Sequence, residues 1–137
     1  MKNLIVDAGP LIALFDKTDQ YHELVYNYMM NFHGQLITTW PVITEVLHMI
    51  DFNVNVQVDF MLWVKSGGIN IIDIKAHEIT RIIELTNKYS NVPMDLADGS
   101  LIILSERYKL KEVLSIDSDF YIYRTMKNDY LTNVLNM

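Results

Sequence analysis

Apolar residues along this chain switch repeatedly between runs of three or four and stripes at helical spacing, with polar turns between them. Leu4 to Val6 is a short apolar strand that stops at Asp7. Gly9 and Pro10 then open a helix through Leu14, because proline suits a first helical turn. Tyr21, Leu24, Val25, Tyr28, Met29 and Phe32 line one stripe of a second helix, with Asp19 as its cap and Gly34 as its stop. The segment QLITT is a second strand, and Pro41 starts a helix carrying Val42, Val46, Leu47 and Ile50. A helix across Val54 to Lys65 closes at Gly67 and Gly68, and Ile69 to Ile74 follows as a third strand. Next comes a helix with Ile79, Ile82 and Ile83 on one side. SNVPM is a loop, DLADGSLIILSERY a helix with acids at its front, and VLSI a fourth strand that ends at Asp117.

Strands alternating with helices predict an α/β fold: a central parallel sheet of four to five strands, covered by helices on both faces in three layers. No linker, repeat or low-complexity stretch interrupts the order, so 137 residues are expected to form one domain over 1–137. Half the residues are apolar, enough for a real core. The absence of cysteine excludes a disulfide scaffold, a thiolate metal site and a cysteine nucleophile, and suits a reducing compartment. Neither a signal peptide nor a membrane span is legible, because Asp7, Gly9 and Pro10 break the apolar N-terminal stretch. A cytoplasmic protein is expected.

A formal charge of -6 argues at first against a nucleic-acid partner, whose phosphates favour lysine and arginine. The objection weakens if the negative charge is gathered in one place, where bound dications would offset it. Arg107, Lys109 and Lys111 read as a solvated helix end, and Arg124 and Lys127 follow Asp117 closely.

The acids carry the chemistry. Asp7 and Asp117 directly follow predicted strands, while Glu45 and Asp98 lie early in the helices after strands two and three. In open α/β sheets the ligand crevice lies beyond the carboxyl ends of the strands. If these four converge they must take up protons or bind cations, since two unit charges about 4 Å apart repel by roughly 4 kcal/mol at a protein surface. Leu101 and Ile102 continue the face of Asp98 into the sheet, which marks Asp98 as the inner group; Asp95 is a helix cap or a second layer of support. Asp16 and Asp19 fit ordinary helix-end roles, and Asp119 ranks below Asp117 as a cap of the next turn.

Oxygen donors alone suit hard cations such as Mg²⁺ or Mn²⁺, whereas zinc would more usually recruit histidine or cysteine. No histidine fits a zinc motif; His48, one turn after Glu45, reads as packing or surface. The expected chemistry is metal-dependent phosphodiester hydrolysis. Asp7 and Asp98 are its principal ligands, Asp117 completes the shell, and Glu45 binds metal or orients water.

The same segments resemble the PIN-domain nucleases, in particular the small toxins of bacterial toxin-antitoxin pairs. Asp7 in VDAGPLIALFD, Glu45 in TTWPVITEVLH, Asp98 in MDLADGSLIILSER and Asp117 in VLSIDSDF match that family's four acids in order over almost the whole chain. The resemblance implies a Rossmann-like sheet with the acids at one edge, Mg²⁺ or Mn²⁺, cleavage of RNA, a homodimer and a small antitoxin partner. Ser115 stands where many relatives have threonine, and FYIYRTMKNDY keeps Tyr123 and Arg124 but is less basic than in those relatives.

Other readings differ in class. An aspartyl phosphoryl-transfer enzyme wants a second aspartate where Gly9 stands, and a phospho-receiver wants a lysine after its last strand. A non-catalytic module holding RNA, a cation or a partner in the same pocket is the stronger rival, and a housekeeping RNA-processing nuclease stays open. Trp40, Trp63, Met29, Met30, Met49 and Met61 are candidates for a dimer surface, although core packing explains most of them more simply.

Overall fold

The computed structural model describes residues 2–92, 94–117, 120, 123, 125–126 and 129–135. Strands β1 (Asn3–Val6), β2 (Gln35–Thr38), β3 (Asn70–Ile71), β4 (Glu112–Leu114) and β5 (Thr132–Asn133) form one sheet in the order β3-β2-β1-β4-β5. Every pairing is parallel. Helices α1 (Ala8–Phe15) and α2 (His22–Asn31) join β1 to β2, and α3 (Trp40–Met49) and α4 (Val54–Lys65) join β2 to β3. After one turn of 3₁₀ helix at Ala76–Glu78, α5 (Ile79–Lys88) and α6 (Leu96–Tyr108) lead to β4.

Leu4, Ile5 and Val6 are consecutive in β1 and all fully buried. Successive strand residues point to opposite faces, so both faces of the central strand are covered. From β1 the chain winds one way to β2 and β3, and then returns to place β4 and β5 on the other side of β1. The strand order therefore reverses between β1 and β4, where open parallel sheets leave a crevice at their carboxyl edge.

Helix α6 is the most enclosed element: Ala97 through Ser105 are all buried. Its apolar residues run around the helix rather than along one stripe, as expected of a helix packed on several sides. The ring of Phe15 meets those of Phe60 and Trp63 at centroid distances of 5.2 and 5.4 Å, tying α1 to α4. No helix among the described residues is long and apolar enough to cross a membrane.

Several expectations change. The third strand is shorter than Ile69 to Ile74: only Asn70–Ile71 pair as a strand, although the Ile72 N–H still donates to the Thr38 carbonyl at 2.8 Å. Helix α5 faces the core through Ile82 and Leu85, leaving Ile83 56% exposed and Ile79 open to solvent as well. Asp19 does not cap α2, which starts behind Tyr21; its carboxylate instead accepts the Tyr21 N–H at 2.8 Å, in the turn before the helix. Core packing does not account for Met30, Met49, Met61 or Trp40, all of which are exposed, whereas Met29 and Trp63 pack partly against the core.

Gly34 stands beyond the end of α2 and governs entry into β2. Its φ of +154° falls where side chains are strained, and a Cβ there would lie 2.3 Å from the Lys2 carbonyl oxygen, which accepts the Gln35 N–H at 2.8 Å. Gly34→Ala is expected to lower stability by about 1–3 kcal/mol. A fall in the urea unfolding midpoint would show it, and an unchanged midpoint would mean that β1 and β2 do not depend on this close approach.

Candidate active site

Sheet register builds the site. Ile5 pairs with Val113 and Val6 with Leu114, so the next residues outward, Asp7 and Ser115, come side by side beyond the strand ends. The Asp7 N–H continues the ladder to the Leu114 carbonyl at 3.0 Å. One carboxylate oxygen of Asp7 accepts the Ala8 N–H at 2.8 Å, which caps α1, and the other accepts the Ser115 hydroxyl at 3.0 Å. Ser115 also turns the chain, because its Oγ accepts the Asp117 N–H at 2.9 Å and brings that carboxylate back toward Asp7.

Asp98 arrives from α6, with Asp95 as the N-cap whose carboxylate accepts the Asp98 N–H at 2.8 Å. This fixes the cap role for Asp95. The buried Tyr123 hydroxyl donates to Asp98 Oδ2 at 3.2 Å. Carboxylate oxygens of Asp7, Asp98 and Asp117 then lie within 4.8 Å of one another, with Asp7 and Asp98 buried and Asp117 nearer to solvent. Glu45 is outside this group. It sits on the solvent side of α3, close enough to Asp95 and Asp117 to be repelled by both.

Protonation follows from the burial. Removal from water, reinforced by Glu45 and Asp117, pushes Asp7 up to about 6 in spite of its two hydrogen bonds. Asp98 is pushed to about 8 by burial first, and then by Asp7, Asp95 and Asp117, with the Tyr123 hydroxyl opposing. Burial is the first cause of the upward shift at Glu45 too, ahead of Asp95 and Asp117. Three oxygen donors, two of them buried and destabilised as bare anions, are the donor set a hard dication favours.

Sequence reasoning missed the supports. Asn133 on β5 donates from Nδ2 to the Ser115 carbonyl at 2.6 Å and accepts the Ser115 N–H at 3.2 Å, holding both backbone groups of the residue between Asp7 and Asp117. A two-residue strand has no periodicity to reveal it. Thr39 and Ser100 share a buried 2.6 Å hydroxyl contact that links the start of α3 to α6. The Ser-x-Asp spacing at Ser115 and Asp117 is the one local signal that a hydroxyl braces the acid.

The remaining expectations sort simply. Asp16 accepts from the Thr18 N–H and hydroxyl, a local role. His48 is exposed in the last turn of α3 and is not in the acid cluster. Arg107 pairs with Glu78, and Lys111 lies 3.6 Å from Asp129, consistent with a solvated helix end. Asp119, Arg124 and Lys127 lie outside the described residues.

Known proteins resemble this chain at low identity. No family model matches the chain. Ribonuclease VapC26 of Mycobacterium tuberculosis is 22% identical over 116 residues, spanning 83% of this chain and 86% of that protein. The crystal structure of Mycobacterium tuberculosis VapC20, a sarcin-ricin loop cleaving toxin, superposes with a TM-score of 0.79 at 13% identity, covering 87% of this chain and 93% of that one. The chain has the PIN-domain fold. Its sequence and structure both resemble the PIN-domain toxin ribonucleases.

In a chain of this fold the raised acids give stability a definite pH sign. Both have an ordinary value of 3.8, so as pH climbs above it the unfolded chain releases these protons first while the folded chain keeps them. Stability of the metal-free protein therefore drops between about pH 4 and pH 8 through these groups, by a few kcal/mol in all. Asp98→Asn is expected to flatten that fall and to raise the Tm at pH 8 in EDTA. If wild type and Asp98→Asn show parallel Tm curves from pH 4 to 8, Asp98 is not held as described.

Proposed function

We infer that this chain is an Mg²⁺- or Mn²⁺-dependent endoribonuclease, acting as the toxin of a toxin-antitoxin pair. The observation that carries this reading is the meeting of Asp7, Asp98 and Asp117 at the strand-order reversal of a fold shared with ribonuclease toxins. Asp7 and Asp98 are the principal ligands and Asp117 the third, while Glu45 at the rim binds metal or orients the attacking water. A hard dication seated there would neutralise phosphate charge and ease loss of a proton from water, so that hydroxide could attack phosphorus and the 3′ oxygen depart.

The protein's own groups do the positioning. The Ser115 hydroxyl and the Ala8 N–H leave Asp7 with spare lone pairs, since a carboxylate offers about four. Tyr123 fixes the rotation of Asp98, and Asn133 holds Ser115 so that Asp7 and Asp117 keep their separation. Raised affinities for protons in Asp7 and Asp98 mean that the site exchanges protons for cation, and loading strengthens as pH rises. RNA is the proposed substrate, with a small antitoxin, a homodimer and the cytoplasm as the setting, and residues 1–137 as one working domain. VapC20 is described as cleaving the sarcin-ricin loop, which makes a ribosomal RNA loop a sensible first substrate.

The test is cleavage of a mixed RNA pool with Mn²⁺, stopped by EDTA. Asp7→Asn should abolish cleavage with an unchanged circular dichroism spectrum, and full activity in that variant would overturn the assignment. Glu45→Gln should retain more activity than Asp7→Asn, in keeping with its place outside the group of three. Asn133→Ala, which removes side-chain hydrogen bonds to Ser115 and Leu135, should reduce cleavage by roughly 10–100-fold, as loss of outer support does at metal sites; wild-type rates in a folded Asn133→Ala protein would remove it from the site.

A further inference from the structure

A second hollow opens on the same edge of the sheet. It has a volume of about 430 Å³ and is lined by Trp40 and Pro41 from the start of α3, Ile74 and Lys75 beyond β3, and Leu96 and Ser100 from the start of α6. That volume lies within the roughly 300–1,000 Å³ typical of small-ligand sites. The first turns of α6 form the wall shared with the acids: Leu96 and Ser100 line this hollow, while Asp98 between them belongs to the acid cluster. Glu45, one turn and a half after Trp40 on α3, feels the charges of Asp95 and Asp117, so α3 also spans both places.

Its lining is mainly apolar, with Lys75 and the acid Asp73 both in it. Trp40 is 57% exposed at the very start of α3, where a large indole open to water is unfavourable without an occupant. Ile79 and Leu96 add exposed apolar surface around it. Lys75, exposed at the rim, is the lysine that lines this hollow, and like Lys17, Lys65, Lys88 and Lys109 it makes no ion pair among the described residues. The Lys75 N–H donates to Glu78 at 2.9 Å, which fixes the loop that carries it.

A chain with formal charge -6 and four of its nine described basic groups already paired is poorly suited to hold a polyanion by charge alone. Stacking of bases on aromatic faces supplies affinity without positive charge. Resting on the nuclease reading above, we propose that this hollow is a base-binding subsite: an unpaired nucleobase of the RNA stacks on Trp40, and its phosphate lies against Lys75, setting the scissile bond over the acids. Access requires a base free of its helix, so the subsite selects loops and single strands over duplex.

The chain has two tryptophans, Trp40 and Trp63, so fluorescence reads the site directly. In Asp7→Asn protein with Mg²⁺, made with Trp63→Phe, a short unstructured oligoribonucleotide should quench the remaining emission, and an abasic ribose-phosphate strand of equal length should not. In the active protein, Trp40→Ala should raise KM about tenfold with kcat nearly constant, Trp40→Phe should recover most of that loss, and Lys75→Ala should weaken binding and lessen its salt dependence. Equal binding of the abasic strand, or an unchanged KM in a Trp40→Ala protein that still cleaves RNA, would overturn the subsite and leave the nuclease reading standing. Wild-type protein that neither binds nor cleaves RNA would overturn both. If Trp40→Ala instead abolishes self-association or antitoxin binding with RNA affinity intact, the face is a protein contact and the proposal fails.

Discussion

Like charges held close together set the terms for this molecule. Carboxylate oxygens from Asp7, Asp98 and Asp117 lie within 4.8 Å of one another, and nothing in a folded chain gathers them there without cost. Two devices offset the repulsion before any ligand arrives. Asp7 caps α1 and Asp98 sits in the first turn of α6, so each faces the positive end of a helix. Neither removes the strain, which survives as a strong hold on protons at Asp7 and Asp98.

Around the acids runs a frame of buried hydroxyl and amide groups. Thr38 donates to the Val6 carbonyl at 2.8 Å, Thr39 meets Ser100, and Ser115 and Asn133 brace each other. All five residues are buried, and among the described residues no enclosed side-chain polar atom lacks a partner. Such groups contribute little net stability when satisfied and are expensive when one member is lost. Their value here is directional: they connect β2, β1, α6, β4 and β5 at one edge, so that distances between acids are fixed by hydrogen bonds rather than by apolar packing, which tolerates sliding.

Alternation of apolar runs and helical stripes was enough to read the α/β order, because each of β1, β2 and β4 is apolar on both faces and each helix is bounded by a turn residue. The acids were legible for the same reason: a charged residue straight after a buried run has few places to go. The pattern failed where tertiary context decides. Ile79, Ile82 and Ile83 look equivalent in sequence, yet only Ile82 of the three is buried, because helix crossing and not spacing selects the buried face. Strand β5 pairs through two residues, below the length at which period can be seen, and with it went Asn133. Glu45 looked like its three companions, but a longer side chain on a helix leaves it at the rim.

Asp7 and Ser115 stand 108 residues apart in sequence, and Ser115 and Asn133 a further 18. A contact this distant must close a long loop before it returns any favourable interaction, which gives it a high cost in chain entropy. On a growing polypeptide, Asp7 is made before β4 and β5, so its neighbours do not yet exist when it is synthesised. Until those strands exist the three carboxylates stand apart in water, and the cluster is a property of the finished sheet alone.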